Sequence, residues 1–157
     1  MGERRDLDLY GSGATPGRTP VTAWIVRIAG LLVGAAITLY GVALYALRCF
    51  DTCPEDPAVN TATVLMSAAI VLFGPAVAIA SVSVRTRWAA GGATVVAALG
   101  FAIVAVGVAS LAQVPRIDDP GGQKADVTLA GAAETVVGAG VTAAALLRRK
   151  RGPRSAD

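Results

Sequence analysis

Residues 88–114 read WAAGGATVVAALGFAIVAVGVASLAQV, 27 residues in a row without an ionisable side chain. A helix needs about 20 apolar residues to cross the ~30 Å hydrocarbon core of a bilayer, and this stretch exceeds that length. Working outward from it, residues 21–47, 60–84 and 127–147 form three more apolar blocks of spanning length. The sequence therefore predicts an all-α, integral membrane four-helix bundle, with helices over 21–47, 60–84, 88–114 and 127–147. The rest of the composition agrees. The 157-residue chain is 54% hydrophobic with a mean hydropathy of +0.60, and 16% of its residues are charged. A soluble domain carries about 25% charged residues, so a water-soluble globular fold is excluded.

The polar segments give the threading. Residues 1–20, MGERRDLDLYGSGATPGRTP, are expected to form a mobile cytoplasmic tail. They do not read as a signal peptide, because the first apolar run starts late and is much longer than an h-region of ~7–15 residues. Placing both termini in the cytoplasm puts ten basic residues there: Arg4, Arg5, Arg18, Arg85, Arg87, Arg148, Arg149, Lys150, Arg151 and Arg154. Only Arg48, Arg116 and Lys124 then lie outside. This positive-inside bias predicts cytoplasmic N- and C-termini, with residues 148–157 as a basic tail. The net charge of +3 resides largely in that tail, which suits anionic lipid headgroups; the bilayer is an expected partner and nucleic acid is not. Twelve arginines to two lysines, with abundant Ala, Gly and Val, resemble a GC-rich bacterial proteome and place the chain in a bacterial inner (plasma) membrane.

Helices in lipid cannot associate by hiding apolar surface from water, so they need close backbone contact through small residues. Gly30, Gly34 and Gly41 in the first span, Gly100 and Gly107 in the third, and Gly131 and Gly138 in the fourth recur at spacings of four or seven. They are the expected helix-packing positions, and the same faces suit a partner or a second copy of the chain. Gly74 and Pro75 lie mid-span in the second helix, where a missing amide donor is expected to kink it.

Few residues can carry chemistry. The chain has no histidine, which excludes His-based metal, haem and triad chemistry. Neither a P-loop nor a nucleophile elbow is present, and no cofactor, metal or catalytic residue is expected. Arg27 lies near the inner end of its span and is expected to snorkel to the headgroups. Glu134, between Gly131 and Gly138, is the candidate proton- or ion-binding group, because an ionisable side chain at membrane depth costs a few kcal/mol on insertion scales. A direct Arg27–Glu134 pair is not expected, since the two lie at different depths. Cys49 and Cys53, in an outer loop, are close enough in sequence for a disulfide. Their spacing is C-x-x-x-C with no second pair to relay electrons.

Abundant packing signals beside scarce reactive groups point first to a non-enzymatic accessory subunit or scaffold that packs against a membrane partner or itself. The alternative is a small proton- or cation-coupled transporter or channel using Glu134. The second alternative is a membrane thiol redox protein using Cys49 and Cys53.

Overall fold

The computed structural model describes residues 20–47, 55–83, 89–118 and 122–150. They form four helices: α1 (Pro20–Leu47), α2 (Pro57–Val82), α3 (Ala89–Leu111) and α4 (Gln123–Lys150), with a short 3-10 turn at Val114–Arg116. Each is long and apolar enough to cross a membrane, which marks a multi-pass membrane protein. At 1.5 Å per residue, the 23 residues of α3 measure about 35 Å and the 28 of α4 about 42 Å. One end of the bundle, the two-loop end, holds the end of α1 with the start of α2 and the end of α3 with the start of α4. The opposite end holds the start of α1 and the end of α4.

The helix ends depart from the apolar blocks, each for a local reason. Helix α2 starts at Pro57, three residues before its block. Asp56 caps it by accepting from the Ala58 amide at 2.7 Å, and proline fits the first turn because its missing donor is not needed there. Helix α3 stops at Leu111, three residues early, because Pro115 disfavours α geometry at Val114 and the chain tightens into the 3-10 turn. Helix α4 begins at Gln123, four residues early. Gly122 precedes it with φ of +80°, a left-handed conformation that glycine adopts without a Cβ penalty.

Packing runs through α2. Helices α1 and α2 form one antiparallel pair and α3 and α4 another; α2 joins the pairs by packing on α3 and touching α4. All positions from 62 to 81 in α2 are buried or half-buried. Helix α1 lies on the outside of α2 and presents Leu31, Leu32, Leu39 and Tyr40 to its surroundings, side chains that suit lipid.

Burial follows a heptad. On α3 the buried positions are Ala93, Val96, Gly100, Ile103, Gly107 and Ser110, alternating by three and four. On α4 the buried Gly131, Glu134, Gly138 and Ala145 fit the same repeat. A 3.5-residue period keeps one stripe of each helix against its neighbour along the whole contact.

At the glycines the backbones nearly touch. A methyl group added at Gly138 would stand 2.7 Å from the Gly100 carbonyl oxygen and 2.7 Å from the Val104 amide nitrogen. One added at Gly107 would stand 2.9 Å from the Gly131 carbonyl oxygen. The α1/α2 pair repeats the device, with Gly34 and Gly74 each pointing at the other's carbonyl oxygen, at 2.6 and 2.5 Å. Three of these glycines are followed four residues later by a threonine whose hydroxyl donates to the glycine carbonyl: Thr38 to Gly34, Thr135 to Gly131 and Thr142 to Gly138, at 2.8–2.9 Å. Helix α2 continues through Pro75 to Val82. Gly41 packs on Val71, whose carbonyl loses its usual donor at Pro75, so α1 covers the weakened turn.

Candidate functional site

Glu134 lies eleven residues into α4, about 16 Å from its first residue. It occupies a heptad position of the α3/α4 seam, three residues after Gly131, and is 9% exposed. The fold thus holds the carboxyl inside protein rather than against lipid, the usual solution for an ionisable group at this depth. The neighbouring Gly107–Gly131 approach brings the helices close enough for Ser110, at the end of α3, to reach it.

The Ser110 hydroxyl donates to Glu134 Oε2 at 3.3 Å, a long contact for this bond type. Ser110 itself is 2% exposed. The second carboxyl oxygen, Oε1, is buried with no hydrogen-bond partner. An unsatisfied buried acceptor costs about 1–3 kcal/mol. The seam therefore holds a carboxyl that is half satisfied.

A cavity of about 190 Å³ adjoins this pair at the two-loop end. Helix α2 lines it with Val59, Ala62, Thr63 and Met66, α4 with Gln123, Asp126, Val127 and Ala130, and α3 with Ser110. Val127, Ala130 and Glu134 share one face of α4 at spacings of three and four, so Glu134 lies one turn deeper than the lining. Ser110 belongs to both the lining and the carboxyl's hydrogen bond. Its only hydrogen is engaged by Glu134, which leaves its lone pairs for anything inside the cavity. Asp126 and Gln123, both exposed in the first turn of α4, stand at the cavity's mouth.

No family model, curated protein or solved structure matches this chain.

The remaining candidates fall elsewhere. Arg27 is half-buried on α1, three residues before Gly30, which meets Ser81 toward the end of the bundle where α1 starts. Glu134 lies near the other end in the α3/α4 seam, so the fold does not bring the two together. Gly74 faces α1, away from that seam, and Pro75 follows it in α2. Gly30, Gly34, Gly41, Gly100, Gly107, Gly131 and Gly138 all point at atoms of a neighbouring helix of the same chain. Cys49 and Cys53 lie outside the described residues. Among the described residues, no group of three or more Cys, Asp or Glu is placed to hold a metal ion.

One buried residue, Ser110, and one buried polar atom, Asn60 Oδ1, have no site signal in the sequence. Ser110 carried no signal of its own, being one hydroxyl near the end of a long apolar run. Asn60, whose Oδ1 is buried without a partner, stands first in the 60–84 apolar block and sits one turn into α2.

Proposed function

We propose that the protein is a small proton- or cation-coupled transporter or channel in which Glu134 is the binding group. The observation that carries this reading is the buried Glu134 carboxyl, with one oxygen held by a cavity-lining serine and the other unpartnered. A purely structural seam position has no use for a carboxyl, because leucine or alanine would fill it without the desolvation penalty. Binding and releasing a charge is a use that requires one.

The positive-inside bias supports cytoplasmic termini, an orientation in which the cavity would open to the exterior. Access from the cytoplasmic side is narrowed by the Gly107–Gly131 and Gly100–Gly138 approaches, which leave no room between the α3 and α4 backbones. An accessory-subunit role would use small-residue faces for a partner. The glycines that define those faces are filled by the chain's own helices, which weighs against that reading.

The test is reconstitution of the purified protein in liposomes carrying an internal pH dye. The expected result is proton flux driven by an imposed gradient, lost in Glu134→Gln. Equal flux in wild type and variant would remove the proposal.

A further inference from the structure

The cavity beside Ser110 has a chemistry of its own. Its walls are mostly apolar, and Val59, Ala62, Met66 and Val127 supply much of that surface. The polar groups are few: the Thr63 and Ser110 hydroxyls inside, and Gln123 and Asp126 at the mouth. Among its lining residues the only charged side chain is Asp126, and none is basic. A largely apolar cavity with a few placed polar groups is the usual form of a small-molecule site.

We infer that this cavity binds a small organic cation, an ammonium on an apolar body, as the ligand of the Glu134 site. The inference rests on the proposed function and names its ligand class. Ser110 decides the polarity. With its hydrogen directed to Glu134, its hydroxyl offers lone pairs, which accept from an N–H donor and repel an anion. The carboxylate behind it strengthens that preference, and so do the C-terminal carbonyls of α3, which ends at Leu111. At the mouth, Asp126 offsets the positive N-terminal end of α4, and Lys124 in the same turn is not among the lining residues.

Volume and lining set the body. A dry cavity of about 150 Å³ holds benzene, so about 190 Å³ accommodates a ring with a short aminoalkyl arm. A divalent metal ion fits poorly: calcium takes ~6–8 oxygen ligands, and the apolar wall would go unused. A lipid chain would use the wall but leave the free lone pairs of Ser110 and the charge of Asp126 unused.

Equilibrium dialysis of radiolabelled 2-phenylethylammonium against the full-length protein in nanodiscs tests this, with 2-phenylethanol as the neutral analogue. Saturable binding of the amine is expected, with the alcohol at least about ten-fold weaker. Ser110→Ala and Glu134→Gln should each weaken amine binding by about ten- to a hundred-fold, the range for a hydrogen bond to a charged group. Gly140→Ala should leave it unchanged, because a methyl group there meets nothing within 4 Å. Absence of saturable binding, equal binding of amine and alcohol, or undiminished binding in both site variants would overturn the inference. Proton flux on the same preparation separates the two claims. Glu134-dependent flux without amine binding overturns the ligand class and leaves transport standing, whereas Ser110-dependent binding without flux supports the ligand class and removes transport.

Discussion

Substitution of Gly138 by alanine tests whether backbone contact holds the α3/α4 pair together. The added methyl group would stand 2.7 Å from the Gly100 carbonyl oxygen and the Val104 amide nitrogen, and ordinary contact begins at 3.4 Å. Both obstacles are backbone, so neither can rotate away. The helices must part locally by about 0.7 Å, the difference between those distances. A gap of ~0.5–1 Å forfeits a quarter to a half of the dispersion energy of each contact it opens. Apolar burial does not drive association in lipid, so that dispersion is a main source of stability here. Overpacking of this kind costs about 1–3 kcal/mol. Gly140→Ala is the matched control, two residues away on the same helix with open space around the new methyl group. Any gain in helix propensity is common to both variants, so their difference isolates the steric effect. Unfolding in mixed micelles, followed by circular dichroism as a denaturing detergent is titrated, should place Gly138→Ala about 1–3 kcal/mol below Gly140→Ala. The double variant Gly100→Ala/Gly138→Ala should cost less than the sum of its singles, because one separation relieves both clashes. Equal stability of Gly138→Ala and Gly140→Ala would refute the reasoning, since the glycine approach would then carry no energy.

The Ser110–Glu134 pair should show an asymmetry in the same unfolding assay. Ser110→Ala leaves both carboxyl oxygens without a partner and should cost about 1–3 kcal/mol, while Ser110→Ala/Glu134→Leu, which removes both polar groups, should recover most of that loss. Thr142→Val, which deletes the hydroxyl's 3.5 Å contact with the Ala97 carbonyl of α3, should cost about 0.6 kcal/mol, the mean for a polar contact between membrane helices, and Thr135→Val, whose hydroxyl bonds to Gly131 within its own helix, should cost less. Asp56 both caps α2 and accepts from the Asp118 amide at 3.1 Å, joining the two loops at that end. Asp56→Ala should cost about 1–2 kcal/mol and speed hydrogen exchange at the Ala58 and Asp118 amides, leaving amides in the middle of α3 unaffected.

Hydropathy made the four spans legible because each apolar block is longer than any soluble helix requires. It missed the helix ends because Gln123, Lys124 and Asp126 are polar yet helical, and apolarity reports the solvent rather than the backbone. The Asp56-Pro57 pair was a readable start signal for α2, a capping side chain followed by a first-turn proline. Glu134 stood out because charge at that depth is rare, and the heptad of small residues around it implied a seam. Its partner did not stand out. Ser110 becomes meaningful only once Gly107 is set opposite Gly131, and spacing within one helix carries no information about register between two. The cavity was illegible for the same reason, being a property of how three helices align.

That alignment explains why the cavity exists at all. With Gly107 opposite Gly131 and the helices antiparallel, α3 ends at Leu111, where its side chain meets Gly131. Helix α4 continues for eight more residues toward the two-loop end, from Ala130 back to Gln123, with no helical neighbour from α3 beside it. The chain fills part of that space with Ile117, which is 3% exposed and packs with Ala58, Val59 and Val127. The space left between α2 and α4 is the cavity, and its inner wall is the last turn of α3, where Ser110 sits. Had Pro115 not forced α3 to stop, another helical turn would occupy this volume and shut Ser110 away from it. The early end of α3 and the half-satisfied carboxyl therefore belong to one arrangement: the first leaves an opening at the bundle's end, and the second sits one turn beneath it.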